Sequence, residues 1–120
     1  MSADKPSRAA GTGRGSRQIS RELVLRALYE RLSAGTDYPG LISFAQEARE
    51  YAEANTGFLR ELLEGVLKQA ESLDAALAPH LDRPVEELSP VEHAALLIGA
   101  YELSHSLNVP YKVCINEAVN

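Results

Sequence analysis

The sequence has no tryptophan, two phenylalanines, one methionine and a single cysteine, Cys114. A lone thiol cannot close an internal disulfide, so packing and hydrogen bonds must hold the fold, as suits a reducing compartment. No apolar run approaches the ~20 residues that span a bilayer. No apolar core follows the basic residues near the start either, which excludes a secretory signal. The expectation is a soluble, cytoplasmic protein with no membrane association. Also missing are the period-2 alternation of strands and any internal repeat. Catalytic vocabulary is thin. His80, His93 and His105 are too far apart in sequence to share one helical face as a metal pair. The glycine-rich stretch GTGRG at 11–15 is not set between a strand and a helix, as a phosphate loop would be. Cys114 lies on an apolar face with no base beside it in sequence and reads as a buried, inert thiol. Neither an enzyme nor a cofactor is expected.

What is present fits one modest helical core. The chain has 120 residues, of which 45% are hydrophobic, enough for one domain but not two. Residues 1–16, MSADKPSRAAGTGRGS, carry no large apolar residue after Met1 and cannot offset the entropy of ordering, so they read as a disordered basic arm before a helical domain over 17–120. The overall charge of −5 conceals a gradient: residues 1–31 sum to +4 and the rest to −9. An acidic body with a basic leading segment can still meet a polyanion, because the local potential governs encounter; the plainer reading is a solubilising tail.

Helical spacing organises the body. Ser20 reads as an N-cap, followed by Leu23, Ala27, Leu28 and Leu32, which predicts a helix over about 20–33. Gly35 ends it, and DYPG at 37–40 reads as a turn. A second helix is expected to carry Leu41, Phe44, Ala45, Ala48, Tyr51 and Ala52 and to end near Asn55. In FLRELLEGVLKQAESLDAAL, 58–77, Leu59, Leu62, Leu63, Val66, Ala70, Leu73 and Leu77 form one stripe. Gly65 in mid-helix costs about 1 kcal/mol relative to alanine and so suggests a close crossing. SPVE at 89–92 carries the elements of a capping box: Ser89 as cap, Pro90 at the first helical position and Glu92 three residues after the cap. The helix behind it, with AALLIGAY at 94–101, is apolar on every face and is expected to be the buried central element of the bundle. A last helix begins at VPYKVCINEAVN, 109–120, where Tyr111, Cys114, Ile115, Ala118 and Val119 share a face. The fold class is all-α.

Two surfaces could bind something. Arg17 and Arg21 are four apart on one helical face, with Arg14 a turn earlier if the helix extends backward. Guanidinium groups so spaced can follow phosphates and stack on unpaired bases. Tyr29, two turns on, is either a stacking ring or an aromatic at the rim of the core. The second surface is the acidic turn LDRPVEELSPVE, 81–92, which on its own reads as capping and solubility.

RELVLRALYE (21–30), FLRELLEGV (58–66), LDRPVEELSPVEHAALLIGAYEL (81–103) and VPYKVCINEAV (109–119) together resemble the NusB family of bacterial transcription antitermination factors, over roughly 17–119. The resemblance implies an all-helical, non-catalytic protein of two small packed bundles. It implies binding to the single-stranded boxA element of ribosomal RNA leader transcripts, together with the ribosomal protein NusE, within an antitermination complex on RNA polymerase. Carried over by position, the RNA-binding group is Arg14, Arg17, Gln18, Arg21 and Tyr29, Gln18 standing where members often have an arginine. The NusE-facing group is His80, Glu86 and Glu92. Members continue past INEAV with further helical turns, so the resemblance also implies that C-terminal helices are missing here and that the exposed face can self-associate. The alternatives are the RNA-binding domain of a ribosomal RNA cytosine methyltransferase, or a protein-only adaptor.

Overall fold

The computed structural model describes residues 15–107. The expectations for the arm up to residue 14, for Arg14, and for the final helix with Cys114 lie outside the described residues. Within them the chain is helical and without strands: α1 (Ser16–Ala34), α2 (Tyr38–Gln46), a 3-10 turn (Arg49–Glu53), α3 (Thr56–Leu77), short 3-10 turns at Ala78–His80 and Val85–Glu87, and α4 (Pro90–Leu107). No helix among the described residues is long and apolar enough to cross a membrane.

α1 starts a turn earlier than the sequence suggests, with Gly15 as its N-cap, so Ser16 belongs to the helix and not to the arm. Ser20 is therefore no cap. It lies inside α1, fully buried. Its hydroxyl lies 2.9 Å from the carbonyl oxygens of Ser16 and Asn55 and accepts from the Asn55 N–H at 2.9 Å. The residue that reads locally as a cap is a buried tie to the loop before α3. At the other end Gly35 adopts φ 73, a left-handed conformation open to glycine without penalty, and donates its N–H to Arg31 O at 2.8 Å. DYPG is the start of α2, with Asp37 as N-cap accepting from Gly40 N–H at 3.1 Å. α2 stops at Gln46, short of the expected Asn55, and its buried side is Leu41, Ile42 and Ala45. Phe44 and Leu32, both expected in the core, are each 38% exposed.

α3 follows its stripe: Leu59, Leu62, Leu63, Val66, Leu73 and Leu77 are all buried, and Asn55 caps it by accepting from Phe58 N–H at 3.0 Å. The capping box before α4 forms reciprocally, with Glu92 N–H donating to Ser89 Oγ and Ser89 N–H to Glu92 Oε1, each at 3.1 Å. α1 packs against α2, α3 and α4, and α3 against α4. The central element is thus α1, not α4. α4 buries Ala94, Leu97, Ile98 and Ala100 while Ala95 and Gly99 face outward, because among the described residues α1 and α3 cover only one of its sides. His93 Nε2 reaches Asp74 Oδ1 at 2.6 Å and clips α4 to α3.

Candidate nucleic-acid interface

Three helices converge at one end of the bundle. α1 contributes Arg17 and Arg21, which its 3.6-residue period places on one face. α3 contributes Phe58, Glu61 and Leu62 from its first two turns. α4 contributes Tyr101, Glu102 and His105 from its last described turns. These eight residues line a cleft of about 230 Å³.

Its floor is aromatic. The guanidinium carbons of Arg17 and Arg21 stand 4.8 and 5.2 Å from the Phe58 ring centroid, within cation–π range. Tyr101 and His105, a helical turn apart, stack at 4.0 Å between centroids with 27° between planes. His105 Nδ1 is 3.0 Å from the Tyr101 carbonyl oxygen. A carbonyl only accepts, so Nδ1 carries the proton and Nε2 is left toward solvent. Burial, and then the nearby Glu61 carboxylate, raise the Tyr101 hydroxyl above the ordinary tyrosine range, so it stays a neutral donor in the cleft.

The wall is polar and balanced. Arg21 Nε donates to both Glu102 oxygens, at 2.9 and 3.0 Å. Arg17, by contrast, has the Phe58 ring and no hydrogen bond or ion pair among the described residues. Gly65 explains how α4 comes so close: a Cβ there would overlap the Tyr101 ring, with Cε1 only 2.6 Å away. The crossing expected from that glycine is real, and its partner is a residue of the cleft.

The candidate residues named from sequence divide. Arg17 and Arg21 lie together in the cleft. Gln18 faces a different groove, between α1 and α4, beside Leu25, Ala95 and Ile98. Tyr29 is 47% exposed and does not line the cleft. On the second surface, His80 ends one 3-10 turn and Glu86 lies exposed in the next. The Arg83 guanidinium ties that connection to α4, 3.6 Å from Asp82 and 3.6 Å from Glu92. Sequence reasoning missed Phe58, Glu61, Tyr101, Glu102 and His105 as site residues. The spacing of Tyr101 and His105 could have suggested their stack; nothing local could have joined them to Phe58.

A small all-α bundle with arginines set over an aromatic ring defines a helical protein with the groups that single-stranded nucleic acid requires. Residues 18–120 match the NusB family, and the chain belongs to it. It is 45% identical over 113 residues to the transcription antitermination protein NusB of Ralstonia pickettii, covering 93% of this chain and 72% of that one. The protein of the same name from Methylobacillus flagellatus is 46% identical over 117 residues, 98% of this chain and 74% of the relative. That of Thiobacillus denitrificans is 44% identical over 105 residues, 88% and 72% respectively.

Proposed function

We propose that the chain is a non-catalytic, cytoplasmic antitermination factor that binds boxA-type single-stranded RNA through the α1–α3–α4 cleft. The observation that carries this reading is the placement of Arg17 and Arg21 over Phe58, beside the Tyr101–His105 stack. Unpaired bases are recognised by rings and guanidinium planes, and their backbone by cations, and both are supplied here. Arg17, with no carboxylate partner among the described residues, takes phosphate, and Arg14 is expected to add a second phosphate contact. Arg21, held by Glu102, orients and stacks. Tyr29, away from the cleft, is then a rim aromatic or meets a later nucleotide.

The partner surface is the connection from His80 through Glu86 to Glu92, which meets NusE in the antitermination complex on RNA polymerase. Its support is geometric: Arg83 holds the acidic connection against the start of α4, so Glu86 and Glu92 belong to one exposed region. The NusB names of the relatives favour this role over a methyltransferase's accessory domain.

The test is RNA affinity as a function of salt. With about two phosphate contacts, the log–log slope is roughly −1.4 for a single strand. Replacing Arg17 by alanine lowers affinity and flattens the slope by about 0.7. Unchanged affinity and slope in Arg17→Ala would remove the cleft from RNA binding.

A further inference from the structure

The charges of the cleft decide which part of a nucleotide enters it. Two guanidinium groups, Arg17 and Arg21, are matched by two carboxylates, Glu61 and Glu102. Glu102 has both oxygens on Arg21 Nε and so cancels the deeper arginine. A phosphate moving inward past Arg17 would meet carboxylates of its own sign. A flat neutral ring would instead find aromatic company, Phe58 with the guanidinium planes over it and His105 stacked on Tyr101. The cleft's volume of about 230 Å³ lies below the range of pockets for drug-sized ligands and suits one ring system.

Glu61 then becomes informative. It is exposed, lines the cleft, and has neither a hydrogen bond nor an ion pair among the described residues. A carboxylate only accepts, and it accepts best from two adjacent N–H donors. Guanine is the one standard base with two such donors side by side, N1–H and the N2 amine. Adenine turns an acceptor, N1, toward the carboxylate, and uracil offers a single N–H between two carbonyls.

We propose that the α1–α3–α4 cleft is a guanine subsite in which Glu61 reads the N1–H and N2 amine of one unpaired base, while Phe58 and the Tyr101–His105 stack hold its faces. The inference rests on the RNA-binding reading above and adds to it a base preference with a named reader. The phosphates on either side stay outside, on Arg17.

The experiment uses the full chain and short oligouridine strands that carry one central guanosine, inosine or adenosine. Inosine keeps N1–H but lacks the N2 amine, so it removes one of the two bonds. The wild type binds the guanosine strand about ten-fold more tightly than the inosine strand, and the adenosine strand more weakly still. Glu61→Gln erases that order and leaves the salt slope unchanged, since no phosphate contact is lost. Equal affinity of the three strands for the wild type overturns the guanine subsite but not RNA binding, as does a Glu61→Gln protein that keeps the preference. Failure of the wild type to bind any of the strands overturns the RNA-binding reading, and this inference with it.

Discussion

Replacing Gly65 by alanine sets two effects of known sign against each other. In an ordinary helix interior the change gains about 1 kcal/mol, because alanine loses less backbone entropy on folding. Here the new methyl would overlap the Tyr101 ring from hydroxyl to Cε1. Forcing an extra carbon into a filled site costs about 1–3 kcal/mol. In the wild-type background the net is a loss of about 0–2 kcal/mol. The ring is only half-buried, so it can swing outward, and that movement would break its stack with His105 and open the cleft. The reasoning is tested by the Tyr101→Ala background, where nothing opposes the methyl and Gly65→Ala stabilises by about 1 kcal/mol. Urea denaturation of the four proteins gives the cycle, with a coupling of about 1–3 kcal/mol expected between the two sites. The same change in stability in both backgrounds would refute the steric account.

Ser20→Ala removes the hydroxyl's bonds, but the Asn55 N–H keeps Ser16 O at 3.3 Å and the Asn55 carbonyl keeps the Leu59 N–H at 2.9 Å, so denaturation is expected to register a loss of only about 0.5–1.5 kcal/mol. Glu102→Gln weakens a partly exposed ion pair, so stability falls by no more than about 1 kcal/mol while the freed Arg21 steepens the salt dependence of RNA binding. Glu92→Gln keeps an acceptor for the Ser89 N–H and Glu92→Lys does not; if this residue meets a basic partner surface, NusE affinity falls in both variants, further in the lysine one, and by more than the about 1 kcal/mol of capping seen in thermal denaturation. The raised Tyr101 hydroxyl contributes stability that is complete below the unfolded tyrosine value near 10 and is lost as pH rises through its folded value, so Tyr101→Phe flattens the decline of the denaturation midpoint above about pH 10.

Features written in neighbouring residues were legible from the sequence. The Ser89–Glu92 capping box, the Gly35 stop and the stripe of α3 each depend on contacts within about one turn to a few turns of helix, and each stands where its signals put it. Ser20 shows where that logic ends. Its local context is that of a cap, but the acceptor and donor it serves belong to Asn55, 35 residues away. α2 is misread for a related reason. Its apolar residues continue at helical spacing past Gln46, while the backbone turns into a 3-10 segment that packs on α1. The cleft was half visible: the arginine pair is a spacing within one helix, whereas Phe58, Glu61 and Glu102 become its neighbours only once three helices have packed.

α4 carries a residue of each proposed surface, Glu92 in its first turn and Glu102 near its described end. At 1.5 Å per residue those positions are about 15 Å apart along the axis. That is nearly twice the distance over which exposed charges sense one another at physiological salt, about 8 Å. A charge change at the partner end is therefore screened from the cleft, and Glu92→Lys leaves the RNA affinity of the isolated protein as it was. Cooperation carried through this helix would then be mechanical, a tilt or roll of one stiff rod. The His93–Asp74 clip lies next to the partner end and the Gly65–Tyr101 crossing sits at the RNA end, so the rod is pinned at both. A roll that starts at one pin must be absorbed at the other, where the ring that would have to move is a wall of the cleft.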